Sequence, residues 1–65
     1  MKYYLVEGTH YNVHQLGPVF EGSLEEAKRA AVKNCIFQGT FAVVKSFETE
    51  EAICCKKGRG RWVNL

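Results

Sequence analysis

The chain has 65 residues, of which 46% are apolar and 25% are charged, and its formal net charge is +2 at pH 7. A chain of this length fits one domain, buries only about 60% of its unfolded surface, and leaves no room for a deep catalytic cleft beside the core. The composition excludes intrinsic disorder, the apolar runs fall short of the ~20 residues of a membrane-spanning helix, and the small net charge alone does not indicate nucleic-acid binding.

The amino-terminal residues and the cysteines indicate the cellular compartment. The start of the chain is too short and too polar for a secretory signal peptide, so we expect the protein to begin at Met1 and to stay in the cytoplasm. Cys35, Cys54 and Cys55 are an odd number with two adjacent members, which is a poor framework for disulfides. Adjacent residues of a strand point to opposite faces, so Cys54 and Cys55 should not bridge each other, and we expect reduced thiols.

Three segments before residue 23 have the composition of β-strands. Residues 2–7 are rich in Tyr, Leu and Val, residues 11–16 alternate imperfectly, and residues 19–21 form a short candidate that leads into the next element. The turn signals Gly8-Thr9 and Gly17-Pro18 separate these segments.

A capping box marks the start of one helix. The Ser23 hydroxyl can accept from the backbone N–H of Glu26, and the Glu26 carboxylate can accept from the N–H of Ser23. We therefore predict a helix over residues 24–35, with Gly39 as the stop signal after it. Its small-residue face, suited to close packing on a sheet, consists of Leu24, Ala27, Ala31 and Cys35.

The charges of this helix complement its dipole. Glu25 lies near the positive amino end, whereas Lys28, Arg29 and Lys33 lie toward the negative carboxyl end and are predicted to share the solvent side. Glu25 and Arg29 have the spacing of a favourable i,i+4 pair.

Strand candidates also follow the helix, at residues 40–47, 52–56 and 61–65, joined by a polar connection at 48–51 and a glycine-containing turn at 57–60. The predicted order is β-β-α-β-β-β. Strands on both sides of one helix favour a single α+β domain over residues 1–65, with an antiparallel sheet of four to five strands and one α-helix packed on one face.

The sequence predicts no metal site, no cofactor and no enzyme. His10 and His14 have H-x3-H spacing, but in a strand they lie ~13 Å apart, and no C-x2-C pair accompanies them. Cys35 or Cys54 could pair with a histidine as a nucleophile, but nothing fixes that geometry. The glycines of residues 58–60 lack the Walker lysine and the Rossmann pattern.

The basic residues are the remaining functional signal. Of the nine Lys and Arg residues, four lie in the last fifteen positions, where Glu51 is the one acidic residue. If this hairpin lies beside the helix, the two form a phosphate-binding surface. That surface would contain Lys28, Arg29, Lys33, Lys56, Lys57, Arg59 and Arg61. From charge alone a solvated face is the commoner outcome, and Trp62 is expected to pack on the sheet rather than to stack on bases.

An ordered set of residues runs from the helix to the end of the chain. The set is Ser23, Leu24, Ala27, Lys28, Arg29, Lys33, Phe37, Gly39, Thr40, Lys56, Arg61, Trp62 and Val63. In the order and spacing of these residues, and in total length, the chain resembles the ninth type I-F family of anti-CRISPR proteins, which are small phage-derived inhibitors.

The resemblance implies an α+β fold and a specific partner, the Cas7-type backbone subunits of the type I-F crRNA-guided surveillance complex, known as Csy or Cascade. It implies that the protein blocks hybridisation of target DNA to the guide, can hold duplex DNA without sequence preference, and is a monomer when free in the cytoplasm of a bacterial host. The partner-binding residues that it implies are Lys28, Arg29, Lys33, Phe37, Gln38, Lys56 and Arg61.

Two other functions stay open at the level of sequence. One is a stand-alone nucleic-acid-binding module that uses the basic residues 56–61, for which tight binding and a steep salt dependence are expected. The other is a small interaction domain with an unrelated host partner.

Overall fold

A computed structural model describes residues 1–8, 13–34, 41–58 and 60–65 of the chain. Within these residues the protein forms six strands and one helix. In chain order they are β1 (Lys2–Gly8), β2 (Val13–Gln15), β3 (Phe20–Glu21), α1 (Leu24–Asn34), β4 (Phe41–Ser46), β5 (Ala52–Lys57) and β6 (Val63–Asn64). The described helix has 11 residues and is too short to cross a membrane.

The predicted α+β fold is confirmed, because all six strands pair antiparallel in one sheet and α1 packs on it against β1 and β4. The order across the sheet is β2-β1-β4-β5-β6. β2 and β3 pair with the same edge of β1, β3 with its first residues and β2 with its last residues. The sheet has six strands rather than four to five because the short segment around Phe20 pairs with Tyr3.

Several element boundaries differ from the predicted ones. β5 extends one residue further, to Lys57, whereas β6 is limited to Val63 and Asn64. The predicted helix end at residue 35, the stop signal Gly39 and the first residues of the second predicted strand lie outside the described residues.

The core lies between α1 and the sheet. The buried hydrophobic residues are Tyr3, Leu5, Leu16, Ala27, Ala31, Ala42, Val44 and Cys54. Ala27 and Ala31 have no exposed surface, and their short side chains let the helix backbone approach β1 and β4 closely. The predicted small-residue face is thus confirmed for these two alanines, while Cys35 lies outside the described residues.

The opposite side of the sheet is turned away from α1. In register, Val6, Val43, Cys55 and Val63 form one line across β1, β4, β5 and β6 on this side. Tyr4 and Phe41 lie on the same side by alternation along their strands. We call this surface the open face, defined by Tyr4, Val6, Phe41, Val43, Cys55 and Val63.

The capping box at the start of α1 is confirmed. The backbone N–H of Glu26 donates to Ser23 Oγ at 3.2 Å, and the N–H of Ser23 donates to Glu26 Oε1 at 3.0 Å. The backbone N–H and the hydroxyl of Ser23, with Arg29 one turn away, lower the pKa of the Glu26 carboxyl below its ordinary value. The carboxylate form of Glu26 therefore contributes to the stability of the fold.

Loss of the cap is expected to destabilise the domain in a pH-dependent way. Ser23→Ala should lower the free energy of unfolding by about 0.5–2 kcal/mol, the usual range for an N-cap. Because the pKa of Glu26 is lowered in the folded state, its contribution is present above the ordinary value of 4.5 and is lost as pH falls through the lower folded pKa. Urea unfolding at neutral and acidic pH measures both effects.

The control for this experiment is Glu25→Gln, which removes a carboxylate from the same helical turn without touching the capping box. Glu26→Gln should flatten the acidic limb of the stability curve, whereas Glu25→Gln should leave it close to wild type. Equal acid sensitivity of the two variants would contradict the role assigned to Glu26.

Candidate functional site

A groove lies between the solvent side of α1 and the indole of Trp62 near the carboxyl terminus. It encloses about 380 Å³. The lining residues are Glu25, Lys28, Arg29, Val32, Lys33 and Trp62. The five helical residues have the i, i+3, i+4, i+7, i+8 spacing of one helix face, so a regular helix brings them together. We call this site the Trp62 groove.

Lys28 lies inside the groove and is not a free cation at its edge. Its Nζ is 3.5 Å from Glu25 Oε1 and 6.0 Å from the centroid of the Trp62 ring, and only 17% of the side chain is exposed. The predicted solvent position was therefore wrong for Lys28, because the sequence could not show that Trp62 packs against this part of the helix. Within the described residues, Glu25 pairs with Lys28 rather than with the predicted Arg29.

The exposed cations of the groove are Arg29 and Lys33, which lie on successive turns of α1. Arg61 is also exposed and directly precedes Trp62. Trp62 itself is half-buried and packs against the core, as predicted. The groove thus combines an apolar wall, formed by Trp62 and Val32, with positive charges that remain available to a partner.

The remaining predicted site residues are divided between the two faces of the sheet. Lys56 pairs in register with the buried Ala42, so it lies on the helix side of the sheet. Lys57 lies on the open face, where its Nζ is 5.6 Å from the centroid of the Phe41 ring. Phe37, Gln38 and Arg59 lie outside the described residues.

A buried acidic residue was missed by the sequence-based prediction. Glu7 has no exposed surface, and its Oε1 lies 3.1 Å from Nε2 of His14 on the neighbouring strand β2. The alternation of side chains along β1 could have shown that Glu7 is buried, because Glu7 lies on the same face as Tyr3 and Leu5. This pair places His14 beside a carboxylate, while His10, the other half of the H-x3-H spacing, lies outside the described residues.

The structure describes no cluster of metal ligands. Among residues 1–8, 13–34, 41–58 and 60–65, no group of three or more His, Cys, Asp or Glu side chains converges. In the Glu7–His14 pair, Glu7 has no exposed surface, whereas 36% of the His14 side chain is exposed.

The two adjacent cysteines point to opposite sides of the sheet, as predicted, and both are free thiols. Cys54 is fully buried, and burial raises the pKa of its thiol. Cys55 is half-buried and lies on the open face. A nucleophilic role for Cys54 has no support, because its thiolate is disfavoured and its sulfur is inaccessible.

Thiol labelling should distinguish these two positions sharply. In variants that retain one cysteine each, Cys35→Ser/Cys54→Ala should react readily with a thiol reagent through Cys55. Cys35→Ser/Cys55→Ser should react at least about tenfold more slowly, because the thiol of Cys54 becomes accessible to the reagent only when the fold opens. Both variants should react alike in urea, and equal rates in buffer would contradict the burial of Cys54.

No family model, no curated protein and no solved structure matches this chain.

Proposed function

We propose that the protein is a stoichiometric, non-catalytic inhibitor of the type I-F crRNA-guided surveillance complex. It acts in the cytoplasm of the bacterial host, where it binds the Cas7-type backbone subunits through the Trp62 groove and the neighbouring Arg61. A bound inhibitor denies target DNA access to the guide. The proposal rests on the sequence resemblance together with the geometry of the groove.

One observation carries the proposal. Seven of the ten residues of the resemblance that the structure describes fall into two groups with different roles. Ser23, Leu24 and Ala27 build the helix and attach it to the sheet. Lys28, Arg29, Lys33 and Trp62 line one groove although up to 34 positions separate them in the chain. Residues that lie far apart in sequence and assemble into one charged surface are the expected signature of a binding site.

The positive charge of the groove suits a partner that carries bound nucleic acid. Cas7-type subunits carry the anionic guide, so positive charge on a protein that docks beside the guide is complementary to the guide phosphates and favours fast association. Arg29, Lys33 and Arg61 offer exposed positive charge, while Trp62 and Val32 offer the apolar contact that fixes orientation. The same cations can hold duplex DNA without sequence preference.

The decisive experiment is a gel shift of target DNA by a purified type I-F surveillance complex, with and without an excess of this protein, beside a lane that contains this protein and DNA alone. The proposal expects loss of guide-dependent binding when the protein is added first. Unchanged DNA binding by the complex would overturn it.

The alternative of a stand-alone nucleic-acid module built on residues 56–61 has less support. Lys56 and Lys57 lie on opposite faces of the sheet, so the hairpin does not present its cations as one surface. A DNA shift by the protein alone that survives in Arg29→Glu/Lys33→Glu and disappears in Lys56→Gln/Arg59→Gln would favour that alternative.

A further inference from the structure

The open face lies on the side of the sheet opposite the Trp62 groove and combines apolar, aromatic and lysine side chains. Its centre is the apolar line of Val6, Val43, Cys55 and Val63, of which Val63 is 57% exposed. Among the residues that the structure describes, the helix covers the other side of the sheet, and Val6, Val43 and Cys55 on this side are half-buried.

Aromatic rings lie at two separate places on this face. The rings of Tyr4 and Phe47 are 5.4 Å apart and tilted by 43°. Phe41 lies four residues before Lys45, which pairs with Tyr4, so the second site is ~13 Å further along the sheet. This separation means that different bases, not one, would contact the two aromatic sites.

A lysine accompanies each aromatic site. Lys2 Nζ is 5.5 Å from the Phe47 ring centroid, and Lys57 Nζ is 5.6 Å from that of Phe41. Lys45 adds a third cation, opposite Tyr4 in register. An acidic residue at the margin of this face, Glu21, pairs in register with Lys2, whereas Glu48, Glu50 and Glu51 lie in the connection beyond the end of β4.

Charge decides between the candidate occupants. A second copy of the chain would bring the lysines of two open faces together, which is unfavourable for a self-complementary interface. An anionic partner removes this conflict. A partner with alternating flat rings and negative charges also matches the alternation of aromatic rings and lysines.

We propose that the open face binds single-stranded nucleic acid, with bases stacked on Tyr4 and Phe41 and phosphates held by Lys45 and Lys57. A duplex hides its base faces, so this surface prefers unpaired strands. The lysines above the rings do not prevent stacking, because an exposed cation–π contact is weaker than a base–aromatic stack and the flexible lysine can move to a phosphate. The inference is independent of the proposed inhibitor function, which uses the other side of the molecule.

Fluorescence anisotropy of a labelled oligo(dT), on the order of ten nucleotides long, tests the inference. The ring variant Tyr4→Leu/Phe41→Leu keeps apolar bulk on the sheet and should weaken binding by at least about tenfold. Lys45→Gln/Lys57→Gln should weaken binding and make the plot of log affinity against log salt shallower, by roughly 0.7 for each phosphate that is no longer neutralised. Lys56→Gln is the control, because it removes a lysine next to Lys57 that lies on the helix side of the sheet.

The single tryptophan provides an internal reporter of location. Trp62 lies in the groove beside α1, so an oligonucleotide on the open face should leave its emission unchanged. Circular dichroism confirms that each variant is folded. The inference is overturned if the ring variant binds as tightly as wild type, if a blunt duplex competes as well as the single strand, or if binding quenches Trp62 and disappears in Arg29→Glu/Lys33→Glu. Binding of poly-glutamate but not of oligo(dT) would overturn it too and would assign the face to an acidic protein instead.

Discussion

Reversing the charges of Arg29 and Lys33 to glutamate is expected to weaken inhibition of the surveillance complex by about a thousandfold or more. Both side chains are exposed in the groove, so they are available to the guide phosphates carried by the proposed partner. Each reversal replaces an attraction by a repulsion, and like-charge contacts at an interface cost several kcal/mol. The measurement is the protein concentration that halves target-DNA binding by the complex in the gel-shift assay.

The fold should survive this double substitution. Neither residue is buried, and the changes in helix dipole and neighbouring charge cost only a few tenths of a kcal/mol each. The matched control is Lys45→Glu/Lys57→Glu, which reverses two charges on the open face and should retain inhibition. Full inhibition by a folded Arg29→Glu/Lys33→Glu protein would remove the proposed interface, and equal loss in both variants would indicate an effect of net charge alone.

His14→Leu is expected to be among the most destabilising single changes in the described part of the chain. It removes the imidazole that lies 3.1 Å from the carboxylate of Glu7, which has no exposed surface. Removing the polar partner of a buried group costs about 1–3 kcal/mol, because the group left behind keeps its cost of burial. In a 65-residue domain this is a large part of a total stability of about 3–10 kcal/mol.

The double variant Glu7→Leu/His14→Leu provides the sharper test of this pair. Replacing both members of a buried polar pair by apolar residues of similar size is often neutral or stabilising, so the double variant should be more stable than His14→Leu alone. Val13→Ala, on the same strand and 72% exposed in the parent, should change stability by less than about 0.5 kcal/mol. Urea unfolding gives all three values, and a double variant less stable than the single one would contradict the pairing.

The helix was predictable because the interactions that define it are local. The capping box joins residues three positions apart, and the periodicity of Ala27 and Ala31 requires only the geometry of a regular helix. The strand formed around Val43 and Val44 was similarly evident from β-branched composition. These local signals were enough to establish the fold class.

The arrangement of side chains around the site depended on contacts between distant residues. Lys28 meets Trp62, and Glu7 meets His14, only because the sheet order brings different strands and the helix together. The helical periodicity of the sequence could not show that Lys28 lies beside the indole of Trp62. The division of Lys56 and Lys57 between two faces, in contrast, follows from simple alternation along β5 and could have been predicted.

The lengths of the outer strands have a consequence for behaviour at high concentration. β2 has three residues, while β3 and β6 have two each, and these are the strands at the margins of the described sheet. A row of so few unpaired backbone groups is a poor template for adding a strand from another molecule. In the described part of the chain, an apolar sheet surface is thus combined with margins that offer little backbone for fibrous growth, which favours self-association through side chains over continuous backbone hydrogen bonding.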